Sequence, residues 1–306
     1  MKKEKDIRYY SFSKHLKSVF GGPVYKISID AGFTCPNRDG FKGKGGCLYC
    51  DERGSGASYI QRDLSVKDQI ITGINRIKKT REVQKFIAYF QAFSNTYAPV
   101  SHLKKLYDEA LSIEGVVGLS VGTRADIITE ETLDLLEEYS KKTYFWVEYG
   151  LQSIHDKTLN LINRGHTYKE FEDTFLKTKN RRINICVHII VGLPGETREE
   201  ILQTAEKLAE LKPDGIKIHS LYIAKGSPIE KYYNKGEIKL LEQDEYISII
   251  ADLLERIPKD IIIQRLVGET NKDALVEPKW ILNKIKIIYE INNELIKRNT
   301  YQGYLC

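Results

Sequence analysis

Short apolar runs alternate with amphipathic helical stretches over the first 223 of the 306 residues, and this alternation restricts the folds available to the chain. The runs are rich in Val, Ile, Tyr and Phe, and several are almost continuously apolar, as strands buried on both faces are. Predicted strands span residues 24–30, 85–92, 115–121, 143–151, 183–192 and 215–223. Six β/α alternations predict a parallel sheet with outer helices. Because a closed barrel of this kind needs eight units, we expect an α/β fold with a partial (β/α)6 barrel and a site at the carboxyl ends of its strands.

Helical patterns fill the intervals and continue into a tail. They cover residues 65–80, 100–112, 129–142, 155–180 with a break near Gly165, and 197–211. The last is the clearest, because Thr197 and Glu200 form a T-x-x-E capping box. Beyond residue 223 we predict a loop, a helix at 242–257, a strand at 260–267 and a helix near 278–298. The predicted divisions are an N-terminal segment at 1–23, a core at 24–225 and a small α/β C-terminal extension at 226–306, packed on the core.

Composition and charge exclude several classes of protein. A hydrophobic content of 42% with 29% charged residues is typical of globular chains rather than disordered ones. No apolar run reaches the ~18–20 residues of a membrane span, and no apolar stretch follows the charged N-terminus as in a secretory signal. Five cysteines, an odd and unevenly placed set, argue against a secreted disulfide framework. We therefore expect a cytoplasmic protein that does not bind membranes.

The net charge of +5 is compatible with a polyanionic partner but does not require one. Basic clusters at 76–81 and 177–182 lie at the ends of predicted helices, where cations compensate the helix dipole. The same clusters would also suit RNA phosphates, so charge alone leaves both interpretations open.

A glycine-rich loop directly after the first predicted strand contains the most informative cysteines. Cys35, Cys47 and Cys50 form a C-x11-C-x2-C pattern, and glycine allows the tight turns that bring three sulfurs together. A structural zinc site would need a fourth ligand, and Cys186, in mid-strand, is predicted to be a small core residue. A thioredoxin-like pair would leave Cys35 unexplained. An iron–sulfur cluster with one open iron accounts for all three cysteines, although spacing alone does not decide between these sites.

Several strings accompany this loop along the chain. They are IDAGFTCPNRDG, GGCLYC, YFQAFSNTYAP, GLSVGTRAD, VEYGLQSIHDKTLNLINRGHT, HIIVGLPGET and KIHSLYIAKGS. With these strings in this order, the sequence resembles over nearly its whole length the YhcC/YtqA-type members of the radical S-adenosylmethionine (SAM) superfamily, which are related to the radical SAM core of the Elongator catalytic subunit. The eleven-residue gap between the first two cysteines departs from the C-x3-C-x2-C spacing of most members and is a feature of the subfamily.

The resemblance implies a partial (β/α)6 radical SAM barrel and two cofactors. A [4Fe–4S] cluster would be held by Cys35, Cys47 and Cys50, with S-adenosylmethionine bound at the open iron. One electron from a low-potential donor, flavodoxin or ferredoxin, would split SAM into methionine and a 5'-deoxyadenosyl radical that abstracts a substrate hydrogen. Because the cofactor carries this chemistry, no catalytic residue is assigned beyond the cluster.

The resemblance also implies which residues surround SAM. Gln91 takes the place of the superfamily's GGE motif and is expected to bind the methionine amino or carboxylate group. Arg164 is expected to pair with the methionine carboxylate, and Gly192 and Gly195 of the GLPGET turn are expected against adenine. The other implied contacts lie near strand ends: Ser120, Thr123, Arg124, Glu148, Gln152 and Tyr222.

Simpler interpretations stay open for single residues. Glu148 paired with Arg164 would be an ordinary carboxylate at the barrel rim, and a strand–turn–helix with a capping box would by itself explain GLPGE. His188 lies within an apolar strand, where a hydrogen-bonded core histidine is the expected role.

The substrate is implied by the resemblance and not by the residues. Kinship with the Elongator core implies tRNA as the partner and the wobble uridine as the target. The expected reaction removes the carboxymethyl group from a carboxymethylaminomethyl side chain and leaves aminomethyl-uridine. Two alternatives stay open: radical SAM chemistry on a small metabolite or a protein, and a non-catalytic zinc-binding RNA adaptor.

Overall fold

The computed structural model describes residues 7–54, 60 and 63–306, and a seven-stranded parallel sheet lies at the centre of this part of the chain. Neighbouring strands follow chain order from the first to the sixth, and all six predicted core strands are present. The strands are β1 (Val24–Ile29), β2 (Lys85–Phe90), β3 (Val116–Thr123), β4 (Tyr144–Gln152), β5 (Asn184–Val191), β6 (Gly215–Ser220), β7 (Ile223–Ala224), β8 (Ile262–Arg265) and β9 (Leu275–Glu277).

Helices cover the outer face of the sheet. The described residues form α1 (Phe12–Phe20), α2 (Val66–Lys78), α3 (Val100–Leu111), α4 (Glu130–Lys142), α5 (Asp156–Leu161), α6 (Tyr168–Asn180), α7 (Arg198–Leu211), α8 (Ile229–Asn234), α9 (Gln243–Arg256) and α10 (Lys284–Arg298), with 3-10 helices at Ala125–Ile127 and Lys279–Asn283. The predicted break near Gly165 separates α5 from α6. The predicted capping box starts α7, where Glu200 N donates to the Thr197 side chain and Thr197 N donates to the Glu200 carboxylate.

Alternate residues of each strand lie in two different environments, because successive side chains point to opposite faces of a sheet. In β5, Ile185, Val187 and Ile189 pack in the large apolar core between sheet and helices. Cys186 and His188 belong to the opposite face, inside the barrel. Both faces of β4 and β5 are therefore covered, which explains why these strands are almost continuously apolar in sequence.

One strand of the predicted C-terminal extension enlarges the sheet. β8, predicted at 260–267, pairs in parallel with β6, so that Lys217 lies opposite Arg265. In the described ranges the barrel stays open between β1 and β8. α1, a helix that the sequence analysis did not predict, contacts both of these strands. The extension thus contributes to the barrel wall, and the division at residues 23 and 225 stays a prediction.

The rest of the C-terminal extension continues the outer layer of helices. α9 packs against α7 and α10. The predicted helix near 278–298 begins as a 3-10 helix and becomes α10 after Asn283, whose side chain accepts from Lys286 N. The predicted loop after residue 223 contains α8, and β7 pairs with β9 in an antiparallel ribbon. Within residues 7–54 and 63–306, no helix combines the length and the apolar character needed to cross a bilayer.

Candidate active site

Apolar side chains fill the barrel near the amino-terminal ends of the strands. Trp146, Cys186 and Ile262 form a buried cluster there, and the ring of Phe12 from α1 meets Trp146 edge-on with 5.9 Å between ring centroids. Cys186 is fully buried and has no disulfide partner, which confirms its predicted place in the core. This cluster closes one end of the barrel, so a ligand enters from the carboxyl ends of the strands.

A polar layer lies inside the barrel next to that apolar cluster. Glu148 of β4 is fully buried at its centre. Its carboxylate accepts hydrogen bonds from four side chains: Lys26, Ser120, His188 and Lys217. His188 Nε2 lies 2.7 Å from Glu148 Oε2, which confirms the expected hydrogen-bonded core histidine. The carboxylate is therefore paired with two lysines and not with Arg164, because Arg164 lies beside the cysteine loop.

The protonation states of the groups in this layer depend on their burial and on the Coulomb interactions between them. Burial by itself raises the pKa of Glu148, but Lys217 and Lys26 outweigh it and hold that pKa well below its ordinary range. Burial, aided by Lys217, lowers the pKa of His188 to about 4, so the imidazole is neutral at pH 7. Burial also lowers the pKa of Lys217 to about 8, although Glu148 opposes this shift. At neutral pH the layer holds one carboxylate against two ammonium groups.

The cysteine loop covers the opposite, open end of the barrel. Cys47 is buried, Cys35 and Cys50 are half-buried, and all three line one cleft with about 1220 Å³ of empty space, including the part open to solvent. Only about 190 Å³ of this space can hold the centre of a water molecule, so the cleft is a narrow pocket that opens to solvent. The loop is tied to the barrel by its backbone, since Leu48 N donates to Ile162 O at 2.9 Å.

Two side chains donate toward the sulfur of Cys47. Asn37 Nδ2 and Arg164 Nη1 each lie 3.7 Å from Cys47 Sγ. Arg164 Nε and Ser94 Oγ, both from residues that line the cleft, are buried without a hydrogen-bond partner among the described residues. Because buried polar atoms are seldom left unpaired, these atoms fit a site that a bound polar group completes.

The surroundings of Cys47 favour the thiolate that metal binding requires. Burial by itself raises the pKa of this thiol, but the guanidinium groups of Arg164 and Arg124 outweigh it and lower the pKa below its ordinary value. The cleft receives three cysteine side chains from the loop, Cys35, Cys47 and Cys50. A structural zinc ion is normally closed by four ligands, whereas three thiolates suit an iron–sulfur cluster that keeps one iron open.

Most of the predicted site residues meet at this cleft. Those that line it are Cys35, Cys47, Cys50, Gln91, Thr123, Arg124, Glu148, Gln152, Arg164 and Tyr222. They come from the cysteine loop and from the carboxyl-terminal parts of several strands, as the partial barrel predicts. Their individual contacts with SAM stay predictions.

Several of these side chains are already held by protein contacts. Arg124 makes two hydrogen bonds of 3.0 Å to the Asp126 carboxylate and a third, of 2.8 Å, to Arg164 O. Ser28 Oγ donates to Gln91 Oε1 at 2.8 Å. The wall of the cleft is thus positioned by its own hydrogen bonds, and Arg124 acts there as a charge held in place by Asp126.

Three predicted site residues do not reach the cleft. Ser120 is fully buried, and its hydroxyl donates to Glu148 inside the barrel. Gly192 and Gly195 line a different cavity beside α9, and their φ angles of 89° and 78° serve the turn into α7. A Cβ at Gly192 would lie 2.9 Å from the Leu241 side chain, so close packing explains this glycine. The expected contact of these glycines with adenine stays a prediction.

The sequence analysis missed the charged residues of the barrel interior. Lys26, Lys217 and Arg265 lie within strands that are otherwise largely apolar, and Lys217 and Arg265 line the cleft. A lysine is almost never fully buried unless it is paired. A single charged residue inside an apolar run, such as Lys217 in GIKIHS, therefore indicates a buried and paired charge that could have been predicted.

Comparisons with known proteins agree with this geometry. A family model described as the radical SAM superfamily matches residues 35–208, and one described as the radical SAM C-terminal domain matches residues 213–297. YtqA of Bacillus subtilis strain 168 is 40% identical over 296 residues, which cover 97% of this chain and 92% of that protein. A tRNA uridine(34) acetyltransferase of Methanocaldococcus jannaschii is 26% identical over 180 residues, which cover 57% of this chain and 32% of that protein.

A solved structure also shares the fold. The archaeal Elp3 of Methanocaldococcus infernus, with an N-terminal deletion of residues 1–46, superposes with a TM-score of 0.70 and 15% identity. The match covers 91% of this chain and 64% of that one. At this level of identity the superposition shows a common fold and nothing more.

Proposed function

Because the chain belongs to the radical SAM superfamily, we propose that it is a tRNA-modifying radical SAM enzyme that acts on the wobble uridine. Members of this superfamily use a [4Fe–4S] cluster and S-adenosylmethionine. When bound, these cofactors supply a 5'-deoxyadenosyl radical by reductive cleavage of SAM, and the radical abstracts a hydrogen atom from the substrate. The cysteine loop and the cleft beneath it fit this pair of cofactors.

The residues of the chain hold the cofactors and exclude water. Cys35, Cys47 and Cys50 would bind three irons, and Arg164 and Arg124 favour the thiolate form of Cys47. Gln91 and Arg164 would bind the polar end of SAM at the mouth of the barrel, where the unpaired Nε of Arg164 offers a donor. The apolar cluster around Trp146 closes the far end, which protects a reactive intermediate from solvent.

The substrate is proposed from one observation. Just over half of this chain matches an enzyme whose name places its activity on uridine 34 of tRNA. The proposed reaction removes the carboxymethyl group from carboxymethylaminomethyl-uridine and leaves aminomethyl-uridine. A hydrogen atom would be abstracted from the methylene group between the nitrogen and the carboxylate, and two-electron oxidation of this carbon would give an imine. Water would hydrolyse the imine to the amine and glyoxylate, and SAM, as the oxidant, would end as methionine and 5'-deoxyadenosine.

Nucleoside analysis of tRNA tests this proposal. In a strain from which the gene is deleted, carboxymethylaminomethyl-uridine should accumulate and nucleosides derived from aminomethyl-uridine should disappear. The wild-type gene should restore them, whereas a gene encoding Cys47→Ala should not. Wobble nucleosides that are identical in the deleted and the parent strain would refute the tRNA proposal.

A further inference from the structure

The inner part of the cleft has more positive than negative charge. In the described part of the chain, two carboxylates line it, Glu148 and Glu269. Glu148 is shared by Lys26 and Lys217. Glu269 is shared by Arg265, at 3.1 Å, and by Lys284, at 2.8 Å. Each carboxylate therefore faces two cations, and folding alone does not balance the charge.

Two cations, Lys217 and Arg265, bring this surplus to the surface of the cleft. His219 lies beside them as a neutral imidazole, because burial holds its pKa well below the ordinary value. Lys217 is almost fully buried, and its ammonium group lies 3.2 Å from the Tyr89 hydroxyl as well as against Glu148. Arg265 uses one amino group on Glu269 and lies opposite Lys217 in the sheet. His219, two residues after Lys217 on the same face of β6, lines the cleft, and its ring centroid lies 5.4 Å from that of His188.

We propose that Lys217, His219 and Arg265 form a binding site for a substrate carboxylate at the floor of the cleft. Lys217 shares its carboxylate partner with Lys26, and a substrate carboxylate would supply the second negative charge that these two ammonium groups lack. A guanidinium group also binds a carboxylate through parallel hydrogen bonds. This inference rests on the proposed function, in which a slender side chain carries the carboxylate inward while the bulky RNA backbone stays outside.

The same charges would distinguish substrate from product. The proposed product ends in an ammonium group instead of a carboxylate. Like charges disfavour binding, so the floor of the cleft would hold the carboxymethylaminomethyl side chain and repel the aminomethyl one. The site therefore predicts both selection of the modified uridine and release of the product.

Binding of synthetic anticodon stem-loops tests the inference. The enzyme is reconstituted anaerobically with its cluster and SAM, without reductant, and titrated with RNAs that carry carboxymethylaminomethyl-uridine, aminomethyl-uridine or uridine. The wild type should bind the first RNA about 10–100-fold more tightly than the second, the range expected for a charge-assisted contact. Arg265→Gln should bring this ratio close to one, and Arg265→Lys should restore part of it. Arg256→Gln, an arginine of α9 outside the cleft, is the matched control and should keep the wild-type ratio.

The outcomes separate this inference from the proposed function. Equal wild-type affinity for the three RNAs would overturn the carboxylate site, as would an Arg265→Gln variant that weakens all three RNAs alike. Iron content and melting temperature establish that each variant is folded and loaded. The proposed function fails in a different way: the wild type, once supplied with reductant, leaves the carboxymethylaminomethyl RNA unchanged, whatever its affinity for it.

Discussion

The carboxylate of Glu148 in the barrel interior and two polar atoms at the mouth of the cleft differ in how far the protein satisfies them. In the interior, both oxygens of the buried Glu148 accept hydrogen bonds from protein side chains. At the mouth of the cleft, Arg164 Nε and Ser94 Oγ are buried without partners among the described residues. An unsatisfied buried group costs ~1–3 kcal/mol. The Glu148 carboxylate is thus satisfied by folding, whereas the mouth of the cleft keeps polar atoms that suit a bound polar group.

Removal of a cluster ligand should have the largest effect and should leave the interior intact. We expect Cys47→Ala to abolish the brown colour, the bound iron and the cleavage of SAM after anaerobic purification, because three thiolates are needed to hold the cluster. Iron analysis and detection of 5'-deoxyadenosine measure these losses. Cys186→Ala is the matched control, and it should keep the cluster because Cys186 lies in the apolar cluster with Trp146. A colourless Cys186→Ala protein would contradict the ligand assignment.

Neutralisation of the interior carboxylate should instead destabilise the fold. Glu148→Gln leaves two lysines without their counter-ion inside the barrel, and breaking a buried pair costs about 3–5 kcal/mol. Denaturant unfolding of the protein measures this cost. Glu138→Gln makes the same change in an exposed carboxylate that pairs with Lys104 and Lys142, and it should leave the free energy of unfolding nearly unchanged. Similar losses in the two variants would contradict the distinction between interior and surface.

The interior should also make the protein sensitive to acid. The pKa of His188 is lowered to about 4 in the folded state, so between pH 6.5 and 4 the unfolded chain binds the proton that the folded chain does not. Stability therefore falls as the pH falls through this range, by up to about 3 kcal/mol for a histidine of this kind. Glu148, whose pKa is held well below its ordinary range, adds a loss of the same sign at lower pH.

A His188→Gln variant tests the contribution of this histidine. Glutamine does not titrate, so the variant should lose less stability than the wild type between pH 7 and 4.5 in denaturant titrations at each pH. An unchanged slope of unfolding free energy against pH would show that other groups account for the acid sensitivity.

We expect the smallest of these effects from replacement of Asn37, which together with Arg164 donates toward the sulfur of Cys47. Asn37→Ala removes the amide that lies 3.7 Å from Cys47 Sγ, and loss of an outer partner typically weakens metal retention 10–100-fold. We expect faster loss of iron to a chelator and a more negative midpoint potential in redox titrations followed by EPR. Asn160→Ala, in an exposed position of α5, is the control. If both variants retain iron like the wild type, Asn37 only shapes the loop.

Features that depend on residues close together in the sequence could be predicted from the sequence alone. Thr197 and Glu200 marked the start of α7, because helix capping depends on neighbouring residues. The C-x11-C-x2-C pattern brought Cys35, Cys47 and Cys50 forward as candidate ligands, and their role as cluster ligands stays a prediction. α1 was missed because it lies in an N-terminal segment with no strand before it to mark a β/α unit. The packing of Gly192 could not be predicted, because its neighbour Leu241 lies almost fifty residues away in sequence and is brought near only by the fold.

By itself the sequence determined the β/α order, the three cysteines and the family, since each depends on patterns that are read along the chain. Only the tertiary structure decided which charges meet. It paired Glu148 with Lys26 and Lys217, residues that come from three different strands, and it placed Ser120 below the cleft instead of in its wall. It also brought Arg265 from the C-terminal extension to the barrel floor. The physical reason is that burial and Coulomb interaction depend on distance in space, which a linear pattern does not contain.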